Sequence, residues 1–316
     1  MSRLVRITDV SPRDGLQNER EIVPTAAKVS LVRQLCLANV DEVEVSSFVS
    51  PKWVPQLADA AEVFKECAPF KPAGIEFSAL VPNEKGLQAA LDVNQAAGSR
   101  VIDKVSVFTA ASETFSKRNT NASIAETLAR FEPVISGAKL AGLRVRGYLS
   151  CAIACPFEGP ISPVSVARVS ADLLDLGVDE LDLGDTIGAG TPESTRALIE
   201  SVAGTLGNRL RLASYKSGAS LVLHFHDTFG RAAACVTESL RLGVREFDGA
   251  AGGLGGCPYA STPGKRAPGN ISTARLVEAI EAAGYETRVR APELAAASRA
   301  ASSIVGGSTS GEEASR

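Results

Sequence analysis

The stretch LVRITDVSPRDGLQNE, residues 4–19, decides between the two α/β folds that the sequence pattern allows. Its first half, LVRITDV, is a short run rich in β-branched residues and is typical of a strand. A doubly wound dinucleotide-binding sheet would continue from its first strand into a G-x-G-x-x-G turn, whereas this chain continues into SPRDGLQNE. The stretch therefore favours a (β/α)8 barrel over the doubly wound sheet.

Seven more strand-like runs follow along the chain, separated by longer helical patterns. They are DEVEVSSF (41–48), IEFSALVP (75–82), VIDKVSVF (101–108), RVRGYLSCAI (144–153), ELDLGDTIG (180–188), SLVLHFHDT (220–228) and EFDGAAGG (246–253). Eight strand-then-helix units predict a TIM barrel, in which strands buried on both faces are expected to be nearly continuously apolar. We expect one barrel domain over residues 1–285, with its active site at the C-terminal ends of the strands. A short C-terminal helix and a disordered polar tail would follow over residues 286–316.

Composition excludes several classes of function. The chain has 316 residues, 45% hydrophobic and 22% charged, with a net charge of −3. This balance gives no electrostatic basis for binding nucleic acid or an anionic membrane surface. No apolar run approaches the roughly 20 residues of a membrane span. Because the first strand-like run begins at Leu4, we expect no leader peptide and a cytoplasmic protein.

The six cysteines are scattered and predict reduced thiols rather than a disulfide framework. Cys151 and Cys155 are spaced like half of a zinc site. They have no second cysteine pair and no histidine near them in the sequence, so the pattern disfavours zinc there.

The chain contains only two histidines, His224 and His226, and both lie in VLHFHDT at the end of the seventh predicted strand. Residues two apart in a strand point to the same side, so both imidazoles should face one point. At the C-terminal end of a barrel strand, this arrangement favours a metal site over two core histidines that bond to the backbone. Asp14 and Asn270 are the best candidates for the missing oxygen ligands. The donor set suits Mg²⁺ or Mn²⁺, and geometry alone does not exclude Zn²⁺ or Co²⁺.

Six stretches in order along the chain carry a resemblance to one family. They are SPRDGLQNE (11–19), EVSSFVSPKWVPQ (44–56), RGYLSCAIACPFEGPISP (146–163), LGDTIGAGTP (183–192), HFHDTFG (224–230) and GGLGGCPYA (252–260). Together they resemble hydroxymethylglutaryl-CoA lyase, a metal-dependent family built on TIM barrels, from about residue 4 to residue 285.

The resemblance implies a lyase that cleaves 3-hydroxy-3-methylglutaryl-CoA to acetoacetate and acetyl-CoA. It implies a divalent cation, Mg²⁺ or Mn²⁺, and a homodimer or larger homo-oligomer. The metal ligands that it implies are Asp14, His224, His226 and Asn270.

The same resemblance implies catalytic roles for Arg13 and Cys257, and places Glu44 and Asp185 at acidic positions that line such sites. Arg13 would donate hydrogen bonds to the thioester oxygen as it becomes an enolate, and the thiol of Cys257 would protonate that enolate. The group that takes the proton of the C3 hydroxyl would be Asp185 or His226, and the sequence does not choose between them.

Two features depart from the family pattern. The segment between Cys257 and Asn270 is a few residues longer than expected, and Ala274 stands where several members have an acidic residue. A related 3-hydroxy-acyl-CoA with a longer branch therefore stays open as substrate. We expect the longer segment to close over bound substrate as a lid, with Lys265 and Arg266 near the phosphates of coenzyme A.

Other classes of function explain the pattern less well. A Claisen-condensing synthase of the same superfamily would share the barrel and the H-x-H pair, but would carry a long C-terminal extension and lack the G-G-C-P-Y segment. A zinc hydrolase with an H-x-H barrel motif would need further histidines. A non-catalytic, metal-stabilised barrel is distinguished by whether its cation supports turnover.

Overall fold

The computed structural model describes residues 3–212, 218–255 and 269–306. Eight parallel strands follow one another around a single sheet, and the last pairs with both the first and the seventh, so that the sheet closes. The barrel strands are β1 Arg6–Asp9, β2 Glu42–Ser47, β3 Glu76–Leu80, β4 Lys104–Ala110, β5 Arg144–Ser150, β6 Glu180–Asp185, β7 Ala219–Phe225 and β8 Glu246–Gly249. Three two-residue strands lie outside this set: Leu210–Arg211 pairs with β7 as a ninth strand of the sheet, and Ala154–Cys155 pairs with Gly159–Pro160. The prediction of a TIM barrel is confirmed, and the doubly wound alternative is wrong.

Ten α-helices surround the barrel or extend it in the described part of the chain. They are α1 Thr25–Leu37, α2 Ala60–Cys67, α3 Glu84–Ala97, α4 Glu113–Thr120, α5 Ile124–Leu140, α6 Pro163–Asp175, α7 Pro192–Leu206, α8 Ala232–Arg241, α9 Thr273–Ala282 and α10 Ala291–Gly306. The last helix, α10, packs against α1 and against the turn that follows β8. None of the helices in the described ranges is long and apolar enough to cross a bilayer.

Most strands are shorter than the runs that predicted them. Strand β5 ends at Ser150 because Cys151 has a φ of 59°, which breaks the extended backbone. Strand β8 ends at Gly249, shortly before Ala251–Gly253 form a 3-10 turn. These differences concern the strand ends, where loops begin to position side chains at the mouth of the barrel.

The two faces of the strands differ in chemistry. Apolar side chains such as Val43, Val45, Leu181 and Leu183 are buried in the main hydrophobic cluster, in the layer between sheet and helices. The alternate positions point into the barrel and carry charged or polar groups, which are buried as well. The expectation of nearly continuous apolar strands is therefore wrong for the inner face, where ion pairs replace the usual branched apolar layers.

Lys104 and Arg146 are the central cations of the barrel interior, and both are at most 1% exposed. The Lys104 ammonium lies 2.7 Å from each carboxylate oxygen of Glu180 and also pairs with Glu42. Arg146 Nε lies 2.7 Å from Glu180 Oε2, and its Nη2 lies 3.2 Å from Glu42 Oε2. Burial alone would raise the pKa of Glu180, but Lys104, Arg146 and Arg144 hold it below its ordinary value. Glu180 is therefore charged in this network.

Replacing Lys104 with methionine should reduce the free energy of unfolding by about 3 kcal/mol, because it leaves buried carboxylates short of a cation. Urea denaturation measures this loss. The matched control is Arg209→Met, which removes an ion pair between side chains that are 43% and 69% exposed. The control should cost less than about 1 kcal/mol. An equally small loss for Lys104→Met would show that the interior ion pairs do not stabilise the barrel.

Candidate metal centre

The segment after β1 turns at once into a short π-helix, Ser11–Gly15. The amide nitrogens of Arg13, Asp14 and Gly15 lie 3.2, 2.9 and 3.1 Å from the carbonyl oxygen of Val10. Single π-helical turns of this kind are frequent at functional sites. A Cβ atom at Gly15 would come within 2.8 Å of Leu254 Cβ, so only glycine lets the turn pack here. The turn carries Arg13 and Asp14 to the mouth of the barrel.

Asp14, His224 and His226 come together at that mouth. Each offers a ligand atom, and these atoms all lie within 4.8 Å of one another. The two imidazole centroids are 5.4 Å apart, as expected for alternate residues at a strand end. The structure thus joins the two histidines to an aspartate more than two hundred residues earlier in the chain.

Asn270 completes the group. Its side-chain nitrogen donates to Asp14 Oδ2 at 2.9 Å and to the Leu254 carbonyl at 3.0 Å, and its backbone forms a β-bridge with His226. Gly255 has a φ of 95°, and a Cβ there would lie 2.5 Å from the Asn270 nitrogen. The backbone around Asn270 therefore packs closely enough to hold its amide against Asp14. All four sequence-predicted metal ligands lie in one cluster.

The two imidazoles have different surroundings. Burial disfavours a charged His224, yet Asp248, whose Oδ2 lies 3.2 Å from His224 Nδ1, raises the pKa of this imidazole. Burial and the neighbouring His224 lower the pKa of His226 to about 4. Among the described residues, nothing bonds to the buried Nδ1 of His226. A neutral imidazole with an unpaired buried nitrogen fits a cation ligand, because an unsatisfied buried nitrogen is costly.

Asp14 is the anionic member of the cluster. Burial alone would raise its pKa, but Arg13 and the two histidines hold it below its ordinary value. Gln17 Nε2 also donates to Asp14 Oδ1 at 3.0 Å. One carboxylate, two imidazoles and an amide form a donor set that accommodates a divalent cation.

Arg13 lies beside this cluster in a fixed orientation. Its Nε donates to Glu44 Oε2 at 2.6 Å, and its Nη1 donates to Asp14 Oδ1 at 2.8 Å. Its guanidinium carbon lies 5.4 Å from the centroid of the Tyr148 ring. Glu44 is fully buried, and its contacts show that it holds the guanidinium in place.

Asp185 lies at the end of β6, and its hydrogen bonds stay within its own loop. Its two carboxylate oxygens accept from the amides of Ala189 and Gly190 at 2.9 and 2.8 Å. Strand alternation places it on the same side as Leu183, towards the helices, and none of its hydrogen bonds within the described ranges reaches the metal ligands. Burial raises the pKa of Asp185 to about 6.

Cys257, Lys265 and Arg266 lie outside the described residues, and so does most of the segment expected to form a lid. The five described cysteines are buried free thiols.

Sequence reasoning missed Tyr148, Gln17 and Asp248. Gln17 could have been noticed from its position in the same short motif as Asp14. Strand alternation predicts that Asp248 and Tyr148 point into the barrel. Which residues they contact there depends on the register between strands, which the sequence alone does not give.

Two further carboxylate clusters lie deeper in the barrel. The first consists of Asp182, Asp248 and the His224 imidazole. The second consists of Glu42, Glu76 and Glu180. Arg146 lies 3.1–3.4 Å from Asp248 and Asp182, and Lys104 lies among the three glutamates. Protein cations already balance these carboxylates, so the mouth cluster is the metal candidate.

Comparison with known proteins identifies relatives over most of the chain. The family model described as HMGL-like matches residues 4–300. A 3-hydroxy-3-isohexenylglutaryl-CoA/hydroxymethylglutaryl-CoA lyase from Pseudomonas aeruginosa is 46% identical over 86% of this chain and 83% of its own length. The mitochondrial hydroxymethylglutaryl-CoA lyase of Bos taurus is 44% identical over 92% of this chain and 82% of its own. The crystal structure of an HMG-CoA lyase from Brucella melitensis superposes with a TM-score of 0.84 at 42% identity, covering 96% of this chain and 99% of that one.

The cluster predicts a clear result for metal binding. His226→Ala should weaken Mn²⁺ binding to metal-free protein more than about 100-fold, since losing a direct ligand should exceed the 10–100-fold effect of losing an outer partner. Isothermal titration calorimetry measures the affinity. The control Asp185→Asn removes a neighbouring buried carboxylate that makes no hydrogen bond to the cluster, and should change affinity less than about threefold. Equal losses in both variants would mean that His226 is not a ligand.

Proposed function

This chain belongs to the HMGL-like family, and on that premise we propose that it cleaves 3-hydroxy-3-methylglutaryl-CoA to acetoacetate and acetyl-CoA at a divalent cation. The observation that carries the proposal is the cluster of Asp14, His224 and His226 within 4.8 Å, with Arg13 held against it. Cleavage needs an acceptor for the C3 hydroxyl proton and stabilisation of an enolate at the thioester. We propose that this mouth provides both.

The proposed metal ligands are Asp14, His224, His226 and Asn270. When bound, a Mg²⁺ or Mn²⁺ ion would supply Lewis acidity that makes the C3 hydroxyl more acidic. The protein's own contribution is orientation, because Arg13 is fixed by Glu44 and can donate to the thioester oxygen without reorganising. As the C2–C3 bond breaks, C3 becomes the ketone carbon of acetoacetate and the bonding electrons pass into the thioester enolate.

The base for the hydroxyl proton is Asp185 or His226, and their surroundings separate them. With a pKa of about 6, Asp185 is a carboxylate at neutral pH and a much stronger base than an ordinary aspartate. His226 is neutral, with a pKa of about 4, but as a metal ligand it has committed a nitrogen lone pair. We therefore propose Asp185 as the base. Its carboxylate faces the helices in this structure and accepts from the amides of Ala189 and Gly190, so the proposal requires the loop to release it and turn it to the mouth when substrate binds.

The pH profile distinguishes the two bases. If Asp185 accepts the proton, kcat/KM should rise about tenfold per pH unit up to about pH 6, because the deprotonated fraction sets the rate. Asp185→Asn should lower kcat and remove this limb. If His226 is the base, Asp185→Asn should leave the limb in place. Rates are measured at saturating Mn²⁺ at each pH, so that loss of the cation in acid does not imitate the limb.

Protonation of the enolate is proposed for Cys257. Cys257→Ser should lower kcat by several orders of magnitude and leave Mn²⁺ binding unchanged, the pattern of a group that acts in the transition state. Cys36→Ser is the matched control, because Cys36 is a buried thiol on α1, and its activity should be unchanged. Wild-type turnover by Cys257→Ser would remove this residue from the mechanism.

A second substrate is favoured by one relative. The 46% identical Pseudomonas aeruginosa protein is named for both 3-hydroxy-3-isohexenylglutaryl-CoA and hydroxymethylglutaryl-CoA. We propose that the longer segment between Cys257 and Asn270, which departs in length from the family pattern, alters the acyl pocket. We therefore keep a longer-branched 3-hydroxy-acyl-CoA as an alternative substrate.

A panel of 3-hydroxy-acyl-CoA thioesters tests the whole proposal. With Mg²⁺ or Mn²⁺, the protein should release acetyl-CoA from 3-hydroxy-3-methylglutaryl-CoA, EDTA should abolish the activity, and added cation should restore it. The isohexenyl substrate in the same assay decides between narrow and broad specificity through the ratio of the two kcat/KM values. Cleavage of neither thioester would exclude the lyase function. Homo-oligomerisation and a cytoplasmic location stay predictions.

A further inference from the structure

Asp248 and His224 are direct neighbours across two strands. Their Cα positions pair in the parallel register of β7 with β8, and both side chains point into the barrel. Asp248 Oδ2 lies 3.2 Å from His224 Nδ1, and both residues are buried. The register therefore delivers a carboxylate to the inner nitrogen of the ring, on the side away from the mouth.

The second oxygen of Asp248 is committed elsewhere. Arg146 Nη1 donates to Asp248 Oδ1 at 3.1 Å, while the rest of the guanidinium is held by Glu180 and Glu42. Because a guanidinium can only donate, the atom of Asp248 that faces it must be an acceptor. Arg146 thus fixes which oxygen of Asp248 is available to His224.

We infer that Asp248 is a positioning residue that keeps the proton of His224 on Nδ1 and thereby presents an unprotonated Nε2 to the cation at the mouth. The inference rests on the proposed metal role of His224 and adds to it the residue that sets the tautomer. A carboxylate behind a metal-binding imidazole orients the ring and makes it a better ligand.

The asparagine variant tests this idea sharply. In Asp248→Asn, the amide oxygen should still face the Arg146 donors, so the NH₂ group would face His224 Nδ1. A donor at Nδ1 requires that nitrogen to be an acceptor, which moves the ring proton to Nε2, the atom that should bind the metal. The substitution keeps the shape of the side chain and inverts the hydrogen bond.

The chain's two histidines make the tautomer directly measurable. Long-range ¹H–¹⁵N NMR of metal-free protein labelled at histidine shows only two rings, and His226→Gln assigns them. At alkaline pH, where both rings are neutral, wild-type His224 should carry its proton on Nδ1. In Asp248→Asn it should carry the proton on Nε2, and Mn²⁺ affinity should fall about 10–100-fold.

Asp41→Asn is the matched control, because Asp41 is a buried acid that accepts from the Ile7 amide and pairs with Arg288, and none of its hydrogen bonds or ion pairs within the described ranges involves Asp248 or His224. It should keep the Nδ1 proton and bind Mn²⁺ within about threefold of wild type. Equal losses of affinity in the two variants, or an unchanged tautomer in Asp248→Asn, would overturn the inference.

If Asp248→Asn does not fold, the wild-type spectrum decides alone, since a proton on Nε2 of wild-type His224 contradicts the inference. If wild-type protein binds no Mn²⁺, the proposed function is wrong, whichever nitrogen of His224 carries the proton.

Discussion

The barrel depends on the buried guanidinium of Arg146. It is 1% exposed and contacts carboxylates from three other strands, through Glu42 on β2, Glu180 on β6 and Asp248 on β8. A charge removed from water is tolerated only when it is paired with good geometry, so these strands must meet around it in one register. A shift by one residue would turn the charged positions towards the helices and the apolar ones inward. The ionic interior therefore specifies the register.

The same guanidinium links that interior to the mouth. Deep in the barrel, Lys104 and Arg146 both pair with Glu42 and Glu180. Nearer the mouth, Asp248 accepts from Arg146 and is hydrogen-bonded to His224. Groups held by several charged partners lose little further freedom when a ligand arrives, which is the condition for a preorganised site. An apolar barrel interior could have been as stable, but it would have offered no hydrogen-bond acceptor behind the His224 ring.

Much of this could be read from the sequence, because it depends on local periodicity. The eight strands and the fold follow from the strand-then-helix pattern, and the convergence of His224 and His226 follows from strand alternation. The full set of four ligands, with Asp14 and Asn270, is what the resemblance to the lyase family implies. The partners could not be read so directly. That Glu44 holds Arg13, or that Asp248 lies behind His224, depends on which residues pair across strands far apart in sequence. Asp185 shows the limit most clearly, since one position along its strand decides whether a carboxylate faces the mouth or the helices.

Charge balance at the mouth connects the fold to the proposed substrate. Asp14 brings one negative charge to the cation, while Asn270 and a neutral His226 bring none. Arg13 is offset by its buried ion pair with Glu44, and the charge behind His224 is offset by Arg146. A divalent cation in this cluster would retain about one unit of positive charge, because only one carboxylate neutralises it. That charge suits a substrate with a single free carboxylate, such as a 3-hydroxy-glutaryl thioester, whose reaction also moves negative charge towards Arg13. The charge of the site therefore complements the negative charge of the proposed substrate, in addition to the fit with its reacting groups.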